Sequence, residues 1–205
     1  MQTPTGATTA ERIIVAAERL FSERGLNAVS LREVGAEAGQ RNSGVVQYHF
    51  GDKEKLLAAI LDYRMQSIND ARTRMLAELD ADGRSGDLCA ILEAFILPLA
   101  TDDATDTHYV RFLSQLLADP LRRTGFSSAA ASSLRDVWGR IGQALAGLPD
   151  DVVADRLSML VNMAIRTVAD HEGEATRPGT PWLVHLVDAS LGLLTAPVTP
   201  TATQS

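Results

Sequence analysis

The sequence predicts an all-α protein, and three observations predict it. Apolar residues recur at helical spacing through most of the chain, and no segment shows the alternation of a half-buried strand. Hydroxyl and carboxylate residues also stand three apart ahead of apolar runs, where each satisfies the other's orphan backbone donor at a helix start. With 205 residues, 45% of them hydrophobic and 22% charged, the chain has the material for a buried core and too little polarity to stay disordered.

The elements follow in order. Thr8 and Glu11 frame the first start; Ile13, Ile14, Ala17, Leu20 and Phe21 recur behind them, and Gly25 stops the helix. Ser30 and Glu33 repeat the pair. Leu31, Val34 and Ala38 form one stripe, and Gly39 ends a helix of about two turns. After the polar turn "QRNS", a short helix carries Val46 and Phe50 on one face, and Asp52 caps a helix running from residue 53 to about 79. "DADGRSGD" is a loop. The helix over 88–99 is expected to end near Pro98, and "TDDATDT" is a loop or helix start. Tyr109, Phe112, Leu113, Leu116 and Leu117 mark a helix that Pro120 closes; Leu134, Val137, Trp138, Ile141 and Leu145 mark another. Asp150 and Asp151 cap a long helix with Val153, Leu157, Leu160, Val161, Ala164 and Val168, and the last helix spans 182–194. "APVTPTATQS" is too small and polar to fold.

Charge divides the chain. The net charge is −7, but residues 1–74 carry 10 Lys+Arg against 9 Asp+Glu, while residues 75–205 carry 9 against 17. The acidity therefore belongs to the rear part, and any contact with phosphate has to be local to the front. The only two lysines, Lys53 and Lys55, follow the aromatic group Tyr48, His49 and Phe50. No apolar run approaches the ~18–20 residues of a membrane span. "MQTPTGATTAER" lacks the basic start and apolar stretch of a secretory signal. Cys89, alone and in an apolar pattern, reads as a small buried side chain.

The front is thus helix, short helix, tight turn, short helix, which has the size of a helix-turn-helix. The stretch "RIIVAAERLFSERGLNAVSLREVGAEAGQRNSGVVQYHFGDKEKLL" resembles the DNA-binding domain of the tetracycline-repressor (TetR) family of bacterial transcriptional regulators. The resemblance rests on Arg12, Ile14, Ala17, Phe21, Gly25, Ser30, Val34, Ala38, Gly39, Gly44, Tyr48, His49, Phe50, Lys53, Leu56 and Leu57. It implies an N-terminal three-helix helix-turn-helix domain over 1–55, with the start of a connecting helix. A helical ligand-binding and dimerisation domain over 56–196 and a tail over 197–205 would follow, with about nine helices in all. The chain departs from the family pattern in a turn one residue longer around 40–43, in Gln47 where an aromatic is frequent, and in Gly35 where Ala is usual. Glycine at that place costs about 1 kcal/mol by helix propensity.

Candidate DNA contacts follow. Val46 and Phe50 read as the inward face of the third helix. Gln47 is suited to bidentate pairing with adenine and Val45 to a thymine methyl; Asn42 and Ser43 stand at the helix start, within reach of bases or phosphates. The resemblance implies phosphate donors at Tyr48 and His49. Lys53, at a helix N-terminus, is expected to meet phosphate, with Thr9, Arg32 and Arg41 as further backbone contacts.

Two recognition helices on one duplex need a dimer. The last two helices are apolar over wide arcs, and Leu157, Leu160, Ala164, Leu183, Leu186, Val187, Leu191 and Leu194 are the candidate interface. An effector cavity is expected among Phe95, His108, Tyr109, Arg111, Phe112, Trp138, Met159 and Met163, with His171 and His185 as further polar candidates. The partners expected are therefore operator DNA, a small-molecule effector and a second copy of the chain, in the cytoplasm. No cofactor is expected, because no Cys/His metal spacing, Ser-His-Asp grouping or phosphate-cradling glycine loop appears. A competing reading makes "DDATD" (Asp102, Asp103, Asp106) the magnesium motif of an all-helical enzyme; another makes the chain an effector-free adaptor.

Overall fold

A computed structural model describes residues 7–40, 42, 44–101, 107–119 and 132–199. Among these the chain forms nine helices and no strand: α1 (Thr9–Arg24), α2 (Leu31–Glu37), α3 (Val45–Phe50), α4 (Lys53–Ala81), α5 (Leu88–Ala100), α6 (Tyr109–Ala118), α7 (Ser132–Ala144), α8 (Asp150–Asp170) and α9 (Pro181–Thr195).

Local chemistry sets most of the boundaries. Both capping boxes form. Thr8 N donates to Glu11 Oε2 at 2.6 Å and Glu11 N returns a bond to Thr8 Oγ1 at 3.2 Å; Ser30 and Glu33 repeat this at 2.8 and 3.3 Å. These bonds hold the carboxyls of Glu11 and Glu33 below their ordinary range. Gly25 ends α1 at φ +83° and Gly51 separates α3 from α4 at φ +80°, a region that side chains with a Cβ avoid.

α1, α2, α3 and the start of α4 form one packed unit; α5 and α7 pack on the rest of α4, α8 and α9 pack on α5 and on each other, and α6 lies between α1 and α8. α4, of 29 residues, spans about 43 Å and belongs to both. α1 also lies along α6, where the rings of Phe21 and Phe112 sit 6.3 Å apart, so a single core runs through both units.

α5 ends at Ala100, one residue past the expected end, with Pro98 inside its last turn. Proline removes the N–H that would meet the Ala94 carbonyl one turn earlier, and Arg72 Nε donates to that carbonyl instead, at 3.3 Å. The N-cap of α8 is Pro149 rather than Asp150 or Asp151; the two carboxylates lie in the first turn, where Asp151 Oδ1 accepts from Val152 N at 3.0 Å and both favour the positive helix end. The glycine at position 35 also finds its reason: a Cβ there would meet Val46 Cγ2 at 3.3 Å, so its absence lets α2 and α3 approach closely.

Candidate nucleic-acid interface

α3 is short, and its two faces differ completely. Val46 is fully buried beneath α2 and Phe50 is half-buried, which pins the helix to the unit. Tyr48, two residues from Val46 and therefore about 200° around the axis, is 86% exposed. Gln47 and His49 are exposed on either side of it, and the His49 ring meets Tyr48 edge-on at 5.4 Å. A phenol, an imidazole and a carboxamide thus stand together on a rigid outward face, which offers several donors to a polyanion and an amide to a base edge. Val45 is half-buried and Asn42 exposed; Asn42 Oδ1 accepts from Gly44 N at 2.9 Å, so the side chain shapes the turn leading into α3.

The surrounding charges are partly as expected. Arg32 is exposed in the first turn of α2, and Thr9, half-buried at the start of α1, accepts from Arg12 Nη2 at 3.2 Å. Lys53 behaves differently from the sequence expectation. Its ammonium points inward, donating to the Val29 carbonyl at 2.7 Å and lying 5.3 Å from the centre of the Phe21 ring. An unsatisfied carbonyl and an aromatic face draw the cation toward the loop before α2. Lys55, which the sequence reading passed over, is the exposed lysine beside Gly51, 3.3 Å from Asp52. Arg41 and Ser43 lie outside the described residues.

The sequence-based effector residues form two aromatic pairs, with Arg72 of α4 beside Phe95 of one of them, and several outlying members. Tyr109 and Phe112 are fully buried and continue the ring contact from Phe21. Phe95 and Trp138 pack 5.0 Å apart between α5 and α7. Met163 is half-buried, but Met159 is exposed on the outer side of α8, because Leu160 and Ala164 turn the adjacent face inward. A cleft of about 440 Å³ lies elsewhere, between the end of α5 and the α8–α9 turn, lined among others by Leu99, Thr107, Val168, Glu172 and Trp182. Of the expected residues only His171 lines it, stacked on Trp182 at 4.2 Å; His185 is exposed on α9.

The expected interface residues are also partly spent within the chain. Leu160, Ala164, Leu183, Leu186, Val187 and Leu194 are buried where α8 and α9 pack on each other and on α5 and α6; Leu157 and Leu191 are half-buried. The face these helices leave exposed carries Met159 and Val184 instead. Asp102, Asp103 and Asp106 lie outside the described residues. Among the described ones no group of three or more His, Cys, Asp or Glu could hold a metal ion.

Two buried carboxylates that the sequence reading did not single out hold the start of α6. Glu18 of α1, 1% exposed, accepts from Arg64 Nε of α4 at 2.6 Å, from Arg64 Nη2 at 3.0 Å and from His108 N at 2.9 Å. Glu172, after α8, accepts from Val110 N at 2.7 Å and Arg111 N at 3.1 Å, while Tyr109 N donates to Thr107 Oγ1 at 3.2 Å. Four successive N–H groups at the start of α6 are thus satisfied, two of the acceptors coming from distant parts of the chain. His108 and Arg111, expected in an effector site, serve this junction: Arg111 Nη2 donates to the Glu172 carbonyl at 2.9 Å. A usable sequence signal existed for Glu18, since it falls at helical spacing with Ile14 and Phe21 on the apolar stripe of α1.

Burial pushes the Glu172 carboxyl from its ordinary 4.5 up to about 7, against the pull of the two backbone donors. Between those values the folded chain holds a proton that the unfolded chain has released, so stability falls as pH rises from about 4.5 to about 7. Glu172→Gln is expected to flatten that slope. Urea midpoints of both proteins at intervals across the window measure it, and parallel slopes would refute the assignment.

Comparison with known proteins bears on the front unit most directly. Residues 13–60 match the family model described as bacterial regulatory proteins, tetR family. The HTH-type transcriptional repressor Rv3405c of Mycobacterium tuberculosis is 41% identical over 81 residues, which are 38% of this chain and 40% of that protein. The matched part of the chain therefore spans only 40% of the length of that curated relative. The HTH-type transcriptional repressor NicS of Pseudomonas putida is 25% identical over 161 residues, 75% of this chain and 72% of that one. AmtR of Mycobacterium smegmatis shares the fold with a TM-score of 0.60 at 21% identity, over 97% of this chain and 92% of that one. None of these matches supports the magnesium-enzyme reading.

Proposed function

We propose that the chain is a DNA-binding transcriptional repressor of the tetR family of bacterial regulatory proteins, whose family model residues 13–60 match. It binds a palindromic operator as a homodimer in the cytoplasm, and a small-molecule effector releases it. The observation that carries the reading is the two-faced α3, with Val46 buried and Tyr48 86% exposed on the opposite side. A helix so placed presents its outer side chains to a major groove, and a two-fold dimer sets two of them about 34–36 Å apart.

In this reading residues 1–55 read DNA, 56–196 bind effector and partner, and 197–205 form a tail. Gln47 and Val45 face base edges; Tyr48, His49, Arg32, Thr9 and Lys55 hold the phosphate backbone, with Asn42 shaping the turn and Arg41 and Ser43 beside it. Lys53 steadies the α4 start against the loop before α2. The exposed side of α8 and α9, with Met159 and Val184, meets the second copy, while Leu157 and Leu191 lie at its edge. The effector favours a form with the wrong spacing of recognition helices, and α4 carries the change.

Selection of bound duplexes from a random pool, followed by footprinting, tests the reading; two half-sites one helical turn apart are the expected product. Tyr48→Phe is expected to weaken every duplex alike and leave the salt slope unchanged. Gln47→Ala should relax preference at one base pair by about 1–3 kcal/mol. A protein that retains no duplex at low salt removes the proposal, and a uniform loss from Gln47→Ala removes the base-reading role.

A further inference from the structure

The interior around α4 holds a cation whose hydrogen-bond partners among the described residues are all neutral. Arg72 lies on the apolar stripe of α4 with Met65, Ile68, Leu76 and Leu79, and is 1% exposed. Its Nε donates to the Ala94 carbonyl at 3.3 Å, its Nη2 to the Phe95 carbonyl at 3.2 Å and its Nη1 to Ser133 Oγ at 3.0 Å. A guanidinium has five N–H donors, so the bonds to described residues leave two, one on each terminal nitrogen. The nitrogens of an arginine can grip a carboxylate in a two-pronged bond.

Taking a guanidinium out of water is expensive without a counter-charge. Burial lowers the Arg72 pKa to about 10, which still leaves it a cation at neutral pH. The cap on the Ala94 carbonyl does not require that charge, because any neutral donor would serve. Tyr109 adds a second unmet group: it is 1% exposed, and its hydroxyl is buried with no hydrogen-bond partner among the described residues. Burial pushes the Tyr109 hydroxyl well above its ordinary range, so it stays a neutral donor, and the guanidinium and the phenol act on each other electrostatically. The Phe95 ring lies 5.8 Å from the guanidinium and against Trp138, so apolar surface adjoins the charge.

We infer that the effector is an organic monocarboxylate, its carboxylate held by the two remaining Arg72 donors and the Tyr109 hydroxyl, its apolar body set beside Phe95 and Trp138. The inference rests on the repressor reading for the word effector, but the anion site stands on Arg72 and Tyr109 alone. Its consequence for DNA is direct, since Arg72 sits on the same helix as Lys53, about 29 Å along it.

The test compares benzoate, phenylacetate and hexanoate with benzamide, phenylacetamide and hexanamide. The readouts are melting temperature and the fluorescence of wild type, Arg72→Gln, Arg72→Met and Tyr109→Phe. At least one carboxylate is expected to raise the melting temperature by several degrees, at a concentration at least tenfold below that of its amide. Arg72→Gln keeps a neutral donor but gives up part of the three buried bonds, so it is expected to melt below wild type and to respond to no carboxylate. Tyr109→Phe should weaken the response three- to tenfold. If Arg72→Met does not fold, Arg72→Gln decides alone. The site is overturned if no carboxylate acts more strongly than its amide, or if Arg72→Gln responds as wild type does. Release from the selected operator is measured separately. Stabilisation by a carboxylate without release overturns its role as effector and leaves the DNA-binding reading intact. If no duplex is bound, the repressor reading fails and with it the word effector, while the melting shifts still decide the anion site.

Discussion

Glu18→Ala is expected to destabilise the protein by about 3–5 kcal/mol, the range for removing one partner of a buried ion pair. The Glu18 carboxylate is 1% exposed and makes contacts to Arg64 and to the His108 backbone. Alanine removes the carboxylate from Arg64, whose side chain is only 12% exposed, and leaves the first N–H of α6 without its acceptor. Both losses fall where α1, α4 and α6 meet, so the front unit should also loosen from the rest. Urea unfolding with an unchanged m-value gives the number. Glu18→Gln, which keeps an acceptor of the same shape, should cost clearly less. A loss under about 1 kcal/mol for Glu18→Ala would mean that water replaces the carboxylate, as it does at exposed pairs.

Phe21→Ala should cost a similar amount, about 3–5 kcal/mol, by loss of transfer energy and opening of a cavity. Phe21 is fully buried, faces Phe112 of α6 at 6.3 Å and carries the Lys53 ammonium at 5.3 Å. The substitution therefore strikes the junction of the two units and the start of α4 together. Phe112→Ala should be comparably severe. The double variant should fall short of the sum by about 0.5–1.5 kcal/mol, since the rings share one contact. Strict additivity would indicate that the two sites relax independently and that the rings do not act as a pair.

Much of the fold was legible along the chain because its causes are local. The capping boxes at Thr8 and Ser30 form as their spacing predicts, and Gly25 and Gly51 take the positive φ that a stop requires. Val46 is buried and Tyr48 exposed, as the period of a helix demands. Pro98 stays inside α5 because its cost is local but its remedy, Arg72, comes from another helix. The direction of the Lys53 ammonium was not legible for the same reason, since Val29 and Phe21 draw it inward.

The sequence by itself determined that the chain is helical, where its front helices start and stop, and which side of α3 points outward. A repeat of apolar residues says that a face is buried but not by what. Only the tertiary structure decided that Leu160, Ala164, Leu183 and Leu194 are covered within the chain, that Met159 is left exposed, and that α6 is capped by Glu18 and Glu172. It also decided that Arg72 faces neutral acceptors, because hydrogen bonds and charges act through space between residues far apart in sequence, where no periodicity registers them.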